Sequence, residues 1–135
     1  MVPICRSCLE HRHSYVRKNA VFAVYAIYRE YENLIPDAPE LLQTFLAAES
    51  DATCKRNAFV FLAHCAMPKA VEWILSIYEQ ISGLDELLQM SVIEVIRLDC
   101  KNDSAHRVSA METMTWYCML NLPTRLGISG AFSSF

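Results

Sequence analysis

Apolar residues in this chain recur at intervals of three and four, and no segment shows strand-like alternation bounded by turn residues. Val16, Ala20, Ala23, Val24, Ile27 and Tyr31 form one stripe, and Val21, Tyr25 and Tyr28 form a second. The segment therefore reads as a helix with apolar surface on more than one side, an inner helix expected to have neighbours on both flanks. The prolines at 3, 36, 39, 68 and 123 and the glycines at 83, 127 and 130 stand where helices begin or end. The pattern predicts helices over 3–11, 14–32, about 38–49, 51–65, 68–82 and 84–100, with one more from Ser104 toward Leu122. Ser50 or Asp51 caps the helix at 51–65, Pro39 and Pro68 occupy first turns, and Gly83 stops the helix before it. The expected fold is all-α, built from about three antiparallel helix pairs with short connections.

Two of these helices carry the same phrase. HSYVRKNAVFAVYAI at 13–27 returns as DATCKRNAFVFLAHC at 51–65, so that Arg17, Lys18, Asn19 and Ala20 match Lys55, Arg56, Asn57 and Ala58 at a constant shift of 38 residues. A self-match at this period marks a HEAT/armadillo-type α-solenoid, in which neighbouring hairpins bury each other's apolar faces. The pairs 3–32 and 38–66 are the repeat units, and the pair 68–101 keeps the architecture without the signature. A fainter echo at Asp103, Arg107 and Ala110 repeats the spacing of Asp51, Lys55 and Ala58.

Each repeated position has a structural role to play. Ala20 and Ala58 let helices approach closely. Asp51 suits the positive end of its helix and is expected to pair with Lys55 one turn later. Asn19 and Asn57 are poor formers of helix interiors, so each is expected to bond to an adjacent loop or the next unit.

Composition narrows the function class. Hydrophobic residues make up 53% and charged residues 20% of the 135 positions, which excludes a disordered chain. A net charge of −3 gives no global basic field, so nucleic acid is not an expected partner. The first residues lack a signal-peptide core, and the longest apolar run, Ala20–Tyr28, is less than half a bilayer span. The expectation is a cytoplasmic protein whose six cysteines (5, 8, 54, 65, 100, 118) are reduced and mostly buried.

Candidate chemistry is weak throughout. Cys5, Cys8, His11 and His13 place four soft ligands within nine residues, but a closed zinc site brings ligand pairs together across a longer loop, and buried small hydrophobes are the better reading. His64 and Cys65 point about 100° apart on a helix and do not make a base–nucleophile pair. Asp85-Glu86 and Glu30-Glu32 read as solvated faces. Tyr25, Tyr28, Tyr31 and Trp73 read as filling between helices. No phosphate loop, nucleophile elbow or zinc-protease motif is present. The chain is therefore expected to be no enzyme, with no catalytic residue, cofactor or metal. Repeated basic pairs carry the one surface signal. Arg17 and Lys55 are expected to form an internal ladder with Asp or loop carbonyls of the neighbouring unit, leaving Lys18 and Arg56 as a partner-facing ridge.

The segments His11-Arg12-His13-Ser14-Tyr15-Val16-Arg17, Leu34-Ile35-Pro36-Asp37-Ala38-Pro39-Glu40-Leu41 and Cys54-Lys55-Arg56-Asn57-Ala58-Phe59 closely resemble the adaptin-like amino-terminal region of coatomer beta subunits, and the likeness continues more loosely through about Arg107. The resemblance implies a structural part in the vesicle coat of Golgi-to-endoplasmic-reticulum and intra-Golgi transport. It implies other coatomer subunits as partners, docking of an Arf-type small GTPase, and peripheral association with Golgi membranes through the complex. From Val108 onward the likeness fades, so 1–107 is expected to be the repeat domain of a truncated piece of such a subunit and 108–135 a divergent helix and tail. A truncated gene model, an alternative transcript or read-through would produce such an end. Uncapped apolar ends are expected to drive self-association. The competing reading is a stand-alone helical-repeat adaptor with another partner.

Overall fold

Helices form where the three–four rhythm runs and stop where local hydrogen bonds compete with it. A computed structural model describes residues 2–102. In order they form α1 (Val2–Leu9), α2 (Ser14–Glu30), a 3₁₀ turn (Glu32–Leu34), α3 (Ala38–Ala48), α4 (Ala52–Cys65), α5 (Met67–Ser76), a 3₁₀ segment (Tyr78–Gly83) and α6 (Glu86–Asn102). The described residues contain no strand. The helix expected from Ser104, the echo at Asp103, Arg107 and Ala110, and the tail 108–135 lie outside the described residues.

Boundaries follow caps that can be named. α1 ends two residues short of the expected His11 because its last turn tightens, with the Glu10 and His11 amides bonding back three residues to Ser7 and Cys8. The His13 amide then donates to Nδ1 of His11, and His13 leaves the helix in an extended conformation that starts α2. α3 carries Pro39 in its first turn, where the missing N–H is harmless. The Asp51 carboxylate accepts the Cys54 N–H at 3.0 Å, capping α4. Before α6, the Asp85 carboxylate accepts the Leu87 N–H at 3.2 Å, so Asp85 starts a helix and is more than part of a solvated face.

The chain divides after Trp73 into two compact units. In the first, α1 packs on α2 and α3 on α4 as hairpins, and α2 packs along α4. The contacts between these two helices fix their relative direction. Near their amino ends the Cys54 thiol donates to the Ser14 carbonyl at 3.3 Å. Near their carboxyl ends the Tyr25 hydroxyl lies 2.8 Å from Nδ1 of His64. Start meets start and end meets end, so the two copies of the repeated phrase lie side by side and parallel. Ala20 and Ala58 are buried, as are Phe59, Phe61 and Leu62 of α4. Burying each of the last three contributes about 1.5–3 kcal/mol. Trp73 stacks obliquely on Phe59, with ring centroids 5.3 Å apart.

α2 has α1 and α4 as neighbours, as expected of an inner helix, but it is less buried than its two apolar stripes suggest. Only Ala20, Val21 and Val24 are fully buried on it, while Tyr15 is 72% and Phe22 50% exposed. Tyr31, expected as filling, caps the end of α2 and is exposed.

In the second unit the helix expected to run through 82 breaks at Ser76 into a 3₁₀ segment. The reason lies seven residues downstream of Ser82. Gln89 is fully buried, and its amide nitrogen shares its hydrogens among the carbonyls of Ile81 (2.9 Å), Ser82 (3.0 Å) and Leu84 (3.0 Å). One side chain thus satisfies three backbone acceptors at the end of the segment and holds the corner in place. α6 buries Leu88, Val92, Val95 and Ile96 at helical spacing on one face. Replacing Gln89 by Leu is expected to cost about 2 kcal/mol, since the Ser82 and Leu84 carbonyls lose the amide donor and the Ile81 carbonyl keeps only the Leu84 N–H, while the volume is kept. Urea unfolding of the full chain measures this.

Candidate functional site

The connection between α3 and α4 meets the amino end of α2, and charge concentrates there. Arg17 extends from the first turn of α2 and grips Glu49 with two parallel bonds, Nε to Oε2 at 2.7 Å and Nη2 to Oε1 at 2.9 Å. Its remaining donor, Nη1, reaches the carbonyls of His11 (2.8 Å) and Arg12 (3.0 Å) in the α1–α2 connection. Glu49 is where α3 turns extended, and Oε1 also accepts the Ser50 and Asp51 amides at 2.8 and 2.9 Å. The side chains are 17% and 3% exposed, respectively. This planar, two-pronged geometry is the one guanidinium favours, and it ties two inter-helix connections of successive hairpins into one edge.

The electrostatics follow from that arrangement. Burial pushes the Glu49 carboxyl up, but the Arg17 guanidinium and the Asp51 and Ser50 amides outweigh it and hold it below the ordinary glutamate value. The Cys54 amide holds the Asp51 carboxyl down in the same way. Burial, followed by the neighbouring Asp51 and Glu49 carboxylates, pushes the Cys54 thiol up to about 12. A thiol so placed stays protonated and inert at neutral pH. Iodoacetamide is therefore expected to spare Cys54 in the folded chain while labelling the half-buried Cys5 and Cys8, and to label all three in urea; peptide mass spectrometry reads the difference.

The geometry gives Arg17 a carboxylate partner across the repeat, but that carboxylate belongs to Glu49 and the loop carbonyls belong to the hairpin of Arg17 itself. Asn19 bonds to neither a loop nor the next unit: its amide donates to the Tyr15 carbonyl one turn back in the same helix, at 2.9 Å. Asn57 Nδ2 is buried without a hydrogen-bond partner. Among the described residues no ion pair joins Lys55 to Asp51, whose carboxylate is committed to the Cys54 amide. Lys18 and Arg56 are half-buried, at equivalent places on the parallel helices, and neither forms an ion pair among the described residues.

Several polar contacts had no signal in the spacing. Arg6 of α1 makes a two-pronged pair with Asp37 ahead of α3, with Nη1 2.8 Å from Oδ2. Lys69 of α5 lies 3.3 Å from Glu40 and donates to Gln43 of α3, which in turn donates to Glu72. The rings of Tyr25 and Tyr28 meet Phe61 edge-on at 5.7 and 5.4 Å. Cys65 is half-buried and Cys54 buried, so the thiols are less uniformly enclosed than expected. Among the described residues, Cys5, Cys8, His11 and His13 do not gather into a group of three or more metal ligands. No helix among these residues is long and apolar enough to cross a membrane.

Parallel α-hairpins fastened at one edge by an arginine–carboxylate clamp make a solenoid segment, and comparison with known proteins places it. The family profile for the adaptin N terminal region matches residues 1–120. The chain belongs to the adaptin N terminal region family. Within that family it is 44% identical to coatomer subunit beta of Rattus norvegicus over 122 residues, 90% of this chain and 12% of the relative. It is 50% identical to coatomer subunit beta of Dictyostelium discoideum over 107 residues, 79% of this chain and 12% of the relative. Against coatomer subunit beta of Saccharomyces cerevisiae it is 40% identical over 114 residues, 84% of this chain and again 12% of the relative. The chain thus spans about an eighth of the length of these adaptin-family relatives.

Proposed function

We propose that this chain is a non-enzymatic scaffold component of a coatomer-type vesicle coat in Golgi-to-endoplasmic-reticulum and intra-Golgi transport. The observation that carries the reading is the 40–50% identity to coatomer subunit beta across most of the chain in animals, an amoeba and a yeast. The architecture supports it in kind. Stacked α-hairpins present long, firm edges suited to protein partners. The geometry described above contains clamps and caps, with no paired acid and base poised for chemistry.

In this reading the partners are other coatomer subunits and an Arf-type small GTPase. The chain is cytoplasmic and reaches Golgi membranes as a peripheral part of the complex. Residues 1–107 form the repeat domain and 108–135 a divergent end. Lys18 and Arg56 are the partner-facing cations, placed one repeat apart on parallel helices, while Arg17 is held by Glu49. An acidic surface on a partner would meet the two together.

The test is affinity capture from cytosol on the full chain, with coat subunits identified by mass spectrometry. Recovery of coatomer subunits is expected, together with a loss of about tenfold in the Lys18→Glu/Arg56→Glu variant. Circular dichroism checks that this variant keeps its helix content. Failure to recover any coat subunit contradicts the proposal and favours a stand-alone adaptor.

A further inference from the structure

Arg12, Lys18, Lys55 and Arg56 form no ion pair among the described residues, whereas Arg6, Arg17, Arg29, Lys69 and Arg97 each have a carboxylate. The four unpaired cations are not scattered. The amino ends of α2 and α4 come together where Cys54 meets the Ser14 carbonyl. Each of the four lies within about one helical turn, along the chain, of one of those two residues. Lys18, Lys55 and Arg56 are half-buried and Arg12 is exposed. Two acids at this edge are committed, Glu49 to Arg17 and Asp51 to the Cys54 amide. Glu10, exposed just past α1, offsets one of the four charges.

Helix stability alone would not put cations there. The amino end of a helix carries partial positive charge, so cations in the opening turns of α2 and α4 work against both dipoles. Neither helix has an acid in its first turn to compensate. A local rule broken on both copies of the phrase, with no gain inside the chain, marks a surface kept for a partner.

The repeat itself shows the chemistry that suits this position. One repeat before Lys55 stands Arg17, whose acceptor is the carboxylate of Glu49, two residues ahead of the capping Asp51. Two residues ahead of Asp85, which starts α6, stands Gly83. The sequence repeats the cation without repeating its acid. Direction then selects among anions. Lys55 and Arg56 are consecutive on α4 and point about 100° apart, so a flat bilayer would face one and miss the other. A flexible chain can bend around the helix end and meet both. The net charge of −3 disfavours a long polyanion such as nucleic acid.

We infer that the joined amino ends of α2 and α4 bind a flexible acidic segment of a protein partner, one of whose carboxylates takes at Lys55 the place that Glu49 takes at Arg17. Arg12, Lys18 and Arg56 hold the flanking carboxylates. This rests on the reading of Lys18 and Arg56 as partner-facing, and adds Lys55 and the form of the partner to it.

Fluorescence anisotropy of a labelled peptide of alternating glutamate and serine, titrated with the full chain, tests this. Binding is expected, and it should weaken as salt rises. Lys55→Gln is expected to weaken it about fivefold, while Lys55→Arg retains it. Lys69→Gln, which removes a cation already paired with Glu40, should leave it unchanged. Circular dichroism confirms that each variant stays helical. No binding at low salt overturns the inference, as does an equal loss in Lys55→Gln and Lys69→Gln. A chain that ignores the peptide but sediments with phosphatidylserine vesicles overturns it in favour of a membrane. Capture of coat subunits that proceeds while Lys55→Gln binds the peptide unchanged defeats this inference and leaves the coat reading standing.

Discussion

Arg17→Met is expected to remove about 3 kcal/mol of folding stability, since it strands the nearly buried Glu49 carboxylate without its cation. The methionine keeps most of the arginine stem's packing, so the loss reports on the guanidinium. Two further acceptors, the His11 and Arg12 carbonyls, lose a donor at the same time. Adding Glu49→Gln should recover part of the loss, because the neutral amide no longer needs a counter-charge. The double-mutant cycle then gives a coupling of about 2 kcal/mol.

This prediction carries a pH signature of known sign. Glu49 is held below the ordinary glutamate value in the folded protein. Its contribution is therefore fully present above the unfolded value, about 4.3, and is lost as pH falls through the lower folded value. In Arg17→Met the largest depressing partner is gone, and burial pushes the carboxyl upward. The deficit of that variant relative to the parent should accordingly shrink as the medium is acidified toward pH 4. Urea midpoints measured across pH for both proteins check the sign.

Phe61→Ala is the second large effect, expected at about 3–5 kcal/mol. Phe61 is fully enclosed and receives the edges of Tyr25 and Tyr28 from the neighbouring repeat. Its removal opens a cavity at the seam between the two parallel helices and discards both ring contacts. Phe22→Ala on α2 is the internal control: half of that ring already faces solvent, so the cost should stay within about 1 kcal/mol. Comparable losses at the two positions would mean that α2 and α4 do not have the covered and open sides described above.

Much of this was readable from spacing, and the exceptions share a cause. The repeated phrase gave both copies of the inner helix, and Asp51 at a helix start gave its cap, because these are local patterns. Adjacency of α2 and α4 followed from the period. What could not be read is which partner a charged side chain finds across a long stretch of chain. Arg17 and Glu49 are 32 residues apart, and Arg6 and Asp37 are 31 apart. Nothing near Glu49 distinguishes it from any other glutamate at a helix end.

Gln89 illustrates the same limit in a polar residue. On an otherwise periodic helix it resembles a solvated position, yet it is buried and spends its amide on three carbonyls. The break at Ser76 is not legible in the local spacing for that reason, because the residue that stabilises the 3₁₀ segment belongs to the next helix. Asn19 erred differently. A short amide within a helix has a partner one turn back at hand, and that local bond won over the longer-range one expected.

The central physical claim is that the two copies of the phrase lie side by side in parallel, in a register close to the 38-residue period. Proton NMR cross-relaxation in the labelled chain tests it most directly. The account predicts contacts from the Tyr25 ring to Phe61 and His64 and from the Tyr28 ring to Phe61, with Ser14 close to Cys54. Contacts from Tyr25 or Tyr28 to the amino end of α4, around Cys54, would mean antiparallel packing and would contradict the stacked-repeat account.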